Sequence, residues 1–115
     1  MTLRVSVLIP VYNEEATLAK LVDQVAAVPM DKEIICVNDG SSDGSTEILD
    51  ALLADGRIQR LHHQPKNRGK GAAIRKASEL AEGDVLVVQD ADLEYDPAEI
   101  PTLLGPIESG KADAV

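Results

Sequence analysis

The stretch LRVSVLIPVYNEE, residues 3–15, is a β-branched apolar run that meets a proline at position 10 and ends in polar and acidic side chains. Leu3 to Ile9 is continuous enough for a strand buried on both faces, the habit of parallel sheets. Broken by Pro10, it is too short for a signal peptide or a membrane span. A different period follows. Leu18, Leu21, Val22 and Val25, continued by Ala26 or Val28, recur on one helical face. Asn13 is the expected N-cap, with Glu14 and Glu15 in the first turn, where the helix dipole favours negative charge. A buried strand that passes through a polar loop into an amphipathic helix is the opening half of a βαβ unit, and the chain repeats it.

Further apolar runs, Glu33 to Val37, Arg57 to Leu61 and Asp84 to Val88, alternate with helical segments. Ile48, Leu49, Leu52 and Leu53 mark a second helix, capped by Ser42, Asp43 or Ser45 and closed by Gly56. Ala73, Ile74, Ala77, Leu80 and Ala81 mark a third, which starts in Asn67-Arg68-Gly69-Lys70-Gly71 and stops at Gly83. Asp96-Pro97 reads as the start of a fourth helix, unless Pro101 delays it to Ile100, and residues 111–115 read as the opening of a fifth strand. The alternation predicts an α/β class fold, a three-layer α/β/α, Rossmann-like sandwich with a mainly parallel sheet. Such sheets bind ligands at the carboxyl ends of their strands, and each polar motif here follows a strand. All of them should share one rim.

The composition, 44% hydrophobic and 27% charged, is that of a soluble globular chain of one domain or part of one. With two Tyr, no Phe and no Trp, the core must be built from Val, Ile, Leu and Ala. Twenty acidic against 11 basic residues give a net charge of −9, which excludes nucleic acid as a natural partner and favours a divalent cation. Cys36 stands alone in a strand run, so it forms no disulfide within the chain, reads as a small buried hydrophobe and suits a reducing compartment.

Asp90-Ala91-Asp92-Leu93-Glu94 follows the fourth run. Strand alternation sets the three carboxylates on one side, where their repulsion raises at least one pKa unless a cation intervenes. Hard oxygens so spaced suit Mg2+ or Mn2+, with phosphate and water completing the shell, so Asp90, Asp92 and Glu94 are the candidate metal ligands. A solvated loop leading to an Asp96 cap explains Asp-x-Asp equally well when it is taken alone. An EF-hand loop does not, because Tyr95 holds its glycine position and Pro101 the place of its bidentate Glu.

Asn38-Asp39-Gly40-Ser41 suits either a base or ribose contact or a plain turn with a helix cap. Lys66, Arg68, Lys70 and Arg75 around Gly69 and Gly71 bring positive charge and exposed amides that suit a pyrophosphate, though a solvated helix start fits as well. The stretch is neither a Walker A loop nor a Rossmann fingerprint, since position 74 is Ile. His62 and His63, neighbours on a strand, face opposite ways and form a poor metal pair; one buried and one exposed structural histidine is the expectation.

Taken together and in this order, VSVLIPVYNEE, IICVNDGSSDGS, NRGKGAAIRKA and VVQDADLEYDP resemble the family 2 glycosyltransferases of the GT-A fold, most nearly those that use dolichyl or polyprenyl phosphate. The resemblance covers essentially the whole chain and implies that residues 1–115 are the N-terminal, nucleotide-sugar-binding portion of such a domain. It implies that Pro10, Tyr12 and Glu14 contact the nucleoside, Tyr12 beside the base, and that Val37 and Asp39 form the second nucleotide-binding stretch. Asp90, Ala91 and Asp92 match the family's Asp-x-Asp element, whose aspartates hold the metal bridging the donor diphosphate. The chain departs from the pattern at Asn38, where many relatives carry Asp, and at Glu94, where lipid-phosphate mannosyltransferases often carry Gln.

The implied activity is metal-assisted, inverting transfer of a sugar from a GDP-mannose or UDP-glucose type donor to a lipid phosphate. Mg2+ or Mn2+ would offset charge on the departing nucleoside diphosphate. An anionic acceptor needs no strong base. The implied location is cytoplasmic, at the cytoplasmic membrane face, with peripheral membrane association through residues after 115. Acceptor contacts and any catalytic base also belong there, so this chain alone is expected to bind donor weakly and turn over little. Competing readings are a haloacid-dehalogenase-like phosphatase with Asp90 as nucleophile, a non-catalytic nucleotide-binding module and a receiver-like signalling domain.

Overall fold

The computed structural model describes residues 3–91. Seven elements alternate along them: β1 (Val5–Val11), α1 (Leu18–Ala27), β2 (Lys32–Asn38), α2 (Ser45–Ala54), β3 (Arg60–His63), α3 (Lys70–Leu80) and β4 (Val85–Val88). The strands form one sheet in the order β3-β2-β1-β4, and every pairing is parallel. The fourth helix and fifth strand expected from the sequence lie outside the described residues.

Alternation along the strands sorts the core into two layers. Val5, Val7, Ile9 and Val11 of β1, with Ile34 and Cys36 of β2, face α1 and α2 and are buried with Leu18, Leu21, Val22, Val25, Leu49 and Leu52. Leu8, Ile35 and Val37 face the other way and are buried with Ala73 and Ala77 of α3. The sheet therefore lies between helices, as the alternation required. Right-handed crossovers explain the division: the chain steps from β1 to β3 in one direction with α1 and α2 on one face, then returns to β4 with α3 on the other. Burial pushes the Cys36 thiol up to about 12, so it remains an inert part of the core.

Several sequence expectations need correction. Pro10 does not end β1, which runs on to Val11. Even-numbered residues of β1 point their main chain at β4, as the bond from Gln89 N to Leu8 O shows, and β4 stops pairing at Leu8. Pro10's missing donor thus falls where no partner strand remains. Asn13 is no helix cap: α1 begins at Leu18, after a turn in which the amides of Thr17 and Leu18 donate to Glu14 O. Glu14 and Glu15 accordingly precede the helix. Leu53 is 41% exposed, because α2 turns Ser45, Leu49 and Leu52 inward instead. β3 starts three residues later than Arg57, since the amides of Arg57 and Ile58 are still donating to Leu52 O at the end of α2. Neither histidine is fully buried; His62 is half-buried and His63 exposed.

Toward the amino end of the sheet, on the α3 face, Glu33 is 1% exposed. Ser6 Oγ donates to its Oε2 at 2.6 Å, the Glu82 amide does the same at 2.6 Å, and Arg60 Nε donates to its Oε1 at 3.2 Å. Burial alone raises the Glu33 pKa, but these hydrogen bonds and the Arg60 charge outweigh it and the net shift is downward. The Ser6 hydroxyl in turn accepts from Gly83 N at 2.8 Å, so the network fastens the turn between α3 and β4 to β1 and β2.

Because the folded-state pKa is depressed, this stabilisation is full above the ordinary value of 4.5 and is lost as pH falls through the lower folded value. Glu33→Gln keeps one acceptor oxygen but sets an amide donor against converging donors, and should lower stability by about 2–4 kcal/mol at neutral pH. Urea melts should show the gap between variant and wild type narrowing below pH 4.5; a gap independent of pH would contradict the assignment.

Candidate functional site

At the carboxyl ends of β1 and β4 the strand order reverses, and a cavity of about 320 Å³ opens there. Pro10, Tyr12 and Glu14 line it from the end of β1, Asp39 from the end of β2, Gly69 and Lys70 from the start of α3, and Asp90 and Ala91 from the end of β4. Most of the residues singled out by sequence thus meet at one switch point, where open parallel sheets bind ligands. Val37 does not line it; its side chain is fully buried in the cluster under α3. Asp92 and Glu94 lie outside the described residues.

The end of β2 is divided by strand parity. Asn38 points toward α2, donating through Nδ2 to Thr46 Oγ1 at 2.9 Å and accepting through Oδ1 from the Ser41 amide at 3.0 Å. That fixes the amide orientation, so its Nδ2 also donates to His63 Nδ1 at 3.0 Å. The His63 proton then resides on Nε2, which reaches Asp50 at 2.8 Å. The asparagine at position 38 is matched to its neighbours: a carboxylate there would lose both of these donations.

Asp39 points the other way, toward α3, and is 3% exposed. Its Oδ1 accepts from Arg68 N at 2.8 Å and Gln64 Nε2 at 3.2 Å, and its Oδ2 accepts from Gly69 N at 3.0 Å. The amides of Arg68 and Gly69, read from sequence as free to meet a pyrophosphate, are therefore turned to Asp39. Gly40 tightens the same junction. Its φ is +72°, and a Cβ there would stand 2.5 Å from Asn67 N and from Lys66 C. Only glycine lets the two loops touch.

The loop after β1 is braced against the loop after β2. Asn13 adopts φ +52° and accepts through Oδ1 from Ser42 N at 2.8 Å, while its own amide donates to Ser41 Oγ at 3.0 Å. The Glu14 amide donates to the buried Ser45 hydroxyl at 2.9 Å, and Gly44 N donates to Glu15 Oε2 at 2.9 Å. Thr17 Oγ1 donates to Ala91 O at 2.6 Å, fixing the exit of β4 to the start of α1. Sequence spacing gave no sign of these loop-to-loop bonds, because every residue in them is also an ordinary turn or cap residue.

Electrostatically the cavity is acidic, with Glu14, Asp39 and Asp90 on its walls and Lys70 facing them. The Lys70 ammonium forms an ion pair with Asp90, whose side chain is 22% exposed. The arrangement offers an aromatic ring, Tyr12, at 47% exposure beside a charged floor. Those are contacts for a flat base at one end and for charged oxygens at the other. Among the described residues no three His, Cys, Asp or Glu side chains converge as a metal cluster.

The chain is similar in sequence and in fold to known proteins. A chain named undecaprenyl-phosphate 4-deoxy-4-formamido-L-arabinose transferase, from Aeromonas hydrophila subsp. hydrophila, is 44% identical over 105 residues, 87% of this chain and 32% of its own length. The chain thus spans about a third of such relatives. Among solved structures, a Pyrobaculum calidifontis mannosyltransferase in complex with GDP-Man and Mn2+ superposes with a TM-score of 0.79 at 24% identity, over 94% of this chain and 32% of that one. Glucosyl-3-phosphoglycerate synthase of Mycobacterium tuberculosis gives 0.75 at 30% identity, over 95% and 41%. These likenesses identify the fold as GT-A and do not favour the phosphatase reading. The profile described as Glycosyl transferase family 2 matches residues 6–115, and the chain belongs to that family.

Proposed function

We propose that residues 1–115 form the donor-binding portion of a metal-dependent, inverting glycosyltransferase. It takes a sugar from a nucleoside diphosphate donor of the GDP-mannose or UDP-glucose type and passes it to a polyprenyl phosphate. The observation that carries this reading is the meeting of Tyr12, Asp39, Lys70 and Asp90 around one cavity at the strand-order switch point. The Mn2+ and GDP-Man in the Pyrobaculum structure support the metal and the donor class. The undecaprenyl phosphate in the Aeromonas relative's name supports the acceptor.

On this reading Tyr12 stacks beside the base while Pro10 and Glu14 border the nucleoside. Asp39 has about one lone-pair site left after its three loop bonds, enough to accept from base or ribose while still holding the glycine-rich loop. Val37 acts from the core by setting the strand that carries Asp39. Lys70 meets the diphosphate, and Asp90 with Ala91, Asp92 and Glu94 forms the metal edge.

The residues present fit a hard divalent ion: Asp90 brings carboxylate oxygens to the cavity, and the Lys70 ammonium already stands beside it as a cation. Bound there, Mg2+ or Mn2+ supplies Lewis-acid stabilisation of the departing diphosphate. Asp90 and Asp92 are its catalytic ligands, and Glu94 is a third. A lipid-phosphate acceptor would hold the enzyme peripherally at the cytoplasmic face of a membrane. No described helix is long and apolar enough to cross one.

Calorimetric titration of GDP and UDP, each with and without Mn2+, tests the reading. One nucleotide should bind at least about tenfold more tightly with the metal, and Asp90→Ala or Asp92→Ala should abolish that difference. Equal binding with and without Mn2+, or no binding of either nucleotide, would overturn it. Asp39→Ala leaves the Arg68 amide without its acceptor and the Gly69 amide with Asn67 Oδ1 alone, and should cost about 1–3 kcal/mol of stability together with at least tenfold in nucleotide affinity. Asp39→Asn, which keeps one acceptor, should fall between; thermal melts read the first effect and calorimetry the second.

A further inference from the structure

We infer that the Lys70 ammonium is a resident counter-ion for Asp90, one that the donor's diphosphate must draw away before a metal can take the carboxylate. The inference rests on the donor-binding reading above and adds a coupling to it. Both partners are carried on anchored backbone. Lys70 is the first residue of α3, and the preceding Gly69 amide is tied to the buried Asp39 at 3.0 Å. Asp90 lies between Gln89, whose amide donates to Leu8 O at 2.9 Å, and Ala91, whose carbonyl accepts from Thr17 Oγ1 at 2.6 Å. The pair therefore spans the cavity from two anchored stretches of backbone, with the Lys70 side chain 58% exposed and that of Asp90 22%.

Its charge logic is direct. A divalent ion arriving alone at Asp90 meets a neighbouring ammonium already paired with Oδ1 and must compete with it for the same carboxylate. A diphosphate changes this, because its oxygens give Lys70 a new anionic partner in the same cavity and leave Asp90 to the metal. Each ligand then favours the other's entry, and linkage requires the two effects to be equal in size. A lysine that served only as a phosphate contact would leave metal affinity untouched in the absence of nucleotide. A resident counter-ion lowers it.

The test uses this chain without turnover. Mn2+ binding in the absence of nucleotide is followed by electron paramagnetic resonance of the free ion for wild type, Lys70→Met and Lys70→Arg. GDP and UDP binding at saturating Mn2+ is measured by calorimetry, and circular dichroism checks that each variant is folded. Lys70→Met should bind Mn2+ roughly 5–10-fold more tightly than wild type while binding nucleotide more weakly, and Lys70→Arg should keep the wild-type metal affinity. If wild type takes Mn2+ and nucleotide but Lys70→Met leaves nucleotide-free Mn2+ affinity unchanged or lower, the counter-ion role is wrong and the donor-binding reading stands. If wild type takes no Mn2+ even with nucleotide present, both are wrong.

Discussion

The buried carboxylate of Asp39 is the constraint on which the rim depends. It directly follows a strand whose last four residues, Ile35–Asn38, are fixed in register on both sides, Val11 against Asn38 and Asn38 against His63, so the carboxylate has little freedom of position. From there it collects two main-chain amides of the loop entering α3. An acceptor that is almost wholly desolvated is stable only when its donors are supplied by protein. The demand thus runs both ways: the loop must fold onto Asp39, and Asp39 must stay in place to receive it. Gly40 follows as a necessity, because any side chain there would strike the Lys66–Asn67 peptide.

A related economy governs the helix starts. None of α1, α2 and α3 has a side-chain hydrogen bond from its N-cap residue. The residues suited to that work, Asn13 and Ser45 among them, bond across to a neighbouring loop instead. At α2 the first helical amide, Ser45 N, is taken by Asp43 Oδ1 at 2.9 Å, and the loops at the strand ends become one braced surface. Side-chain hydrogen bonding is thereby placed at the rim that lines the cavity, while packing through Leu18, Leu21, Val22 and Val25 secures α1.

Periodicity made the layers legible. A parallel sheet buried on both faces must read as unbroken apolar runs, and helices that cover it must read with a single apolar stripe, so β1, β2, α1 and α3 are plain from the order of residues alone. The ends were less clear. Ile58 looks like strand because it is apolar and buried, yet its amide finishes α2, a choice set by main-chain bonding that composition does not record. At the site, the co-location of Pro10, Tyr12, Glu14, Asp39, Lys70 and Asp90 was legible from strand-end placement alone. The partner of each group was not. Asp39 reads equally as a ligand contact or a loop anchor, and the burial that makes it an anchor depends on α3, which is carried by residues about thirty positions away.

Two buried carboxylates on the same face of the sheet show how the acidic character of the rim arises. Glu33, toward the amino end, is met by the Arg60 guanidinium, which it shares with the exposed Glu82, so a cation stands directly beside its charge. Asp39, at the carboxyl end, is met by neutral amides, which satisfy its lone pairs without cancelling its charge. The field of Asp39 therefore persists into the cavity, where Glu14 and Asp90 add to it. A cavity built this way favours positive charge wherever it comes from. Lys70 supplies it from within the chain, by pairing with Asp90 in the cavity that Asp39 also lines.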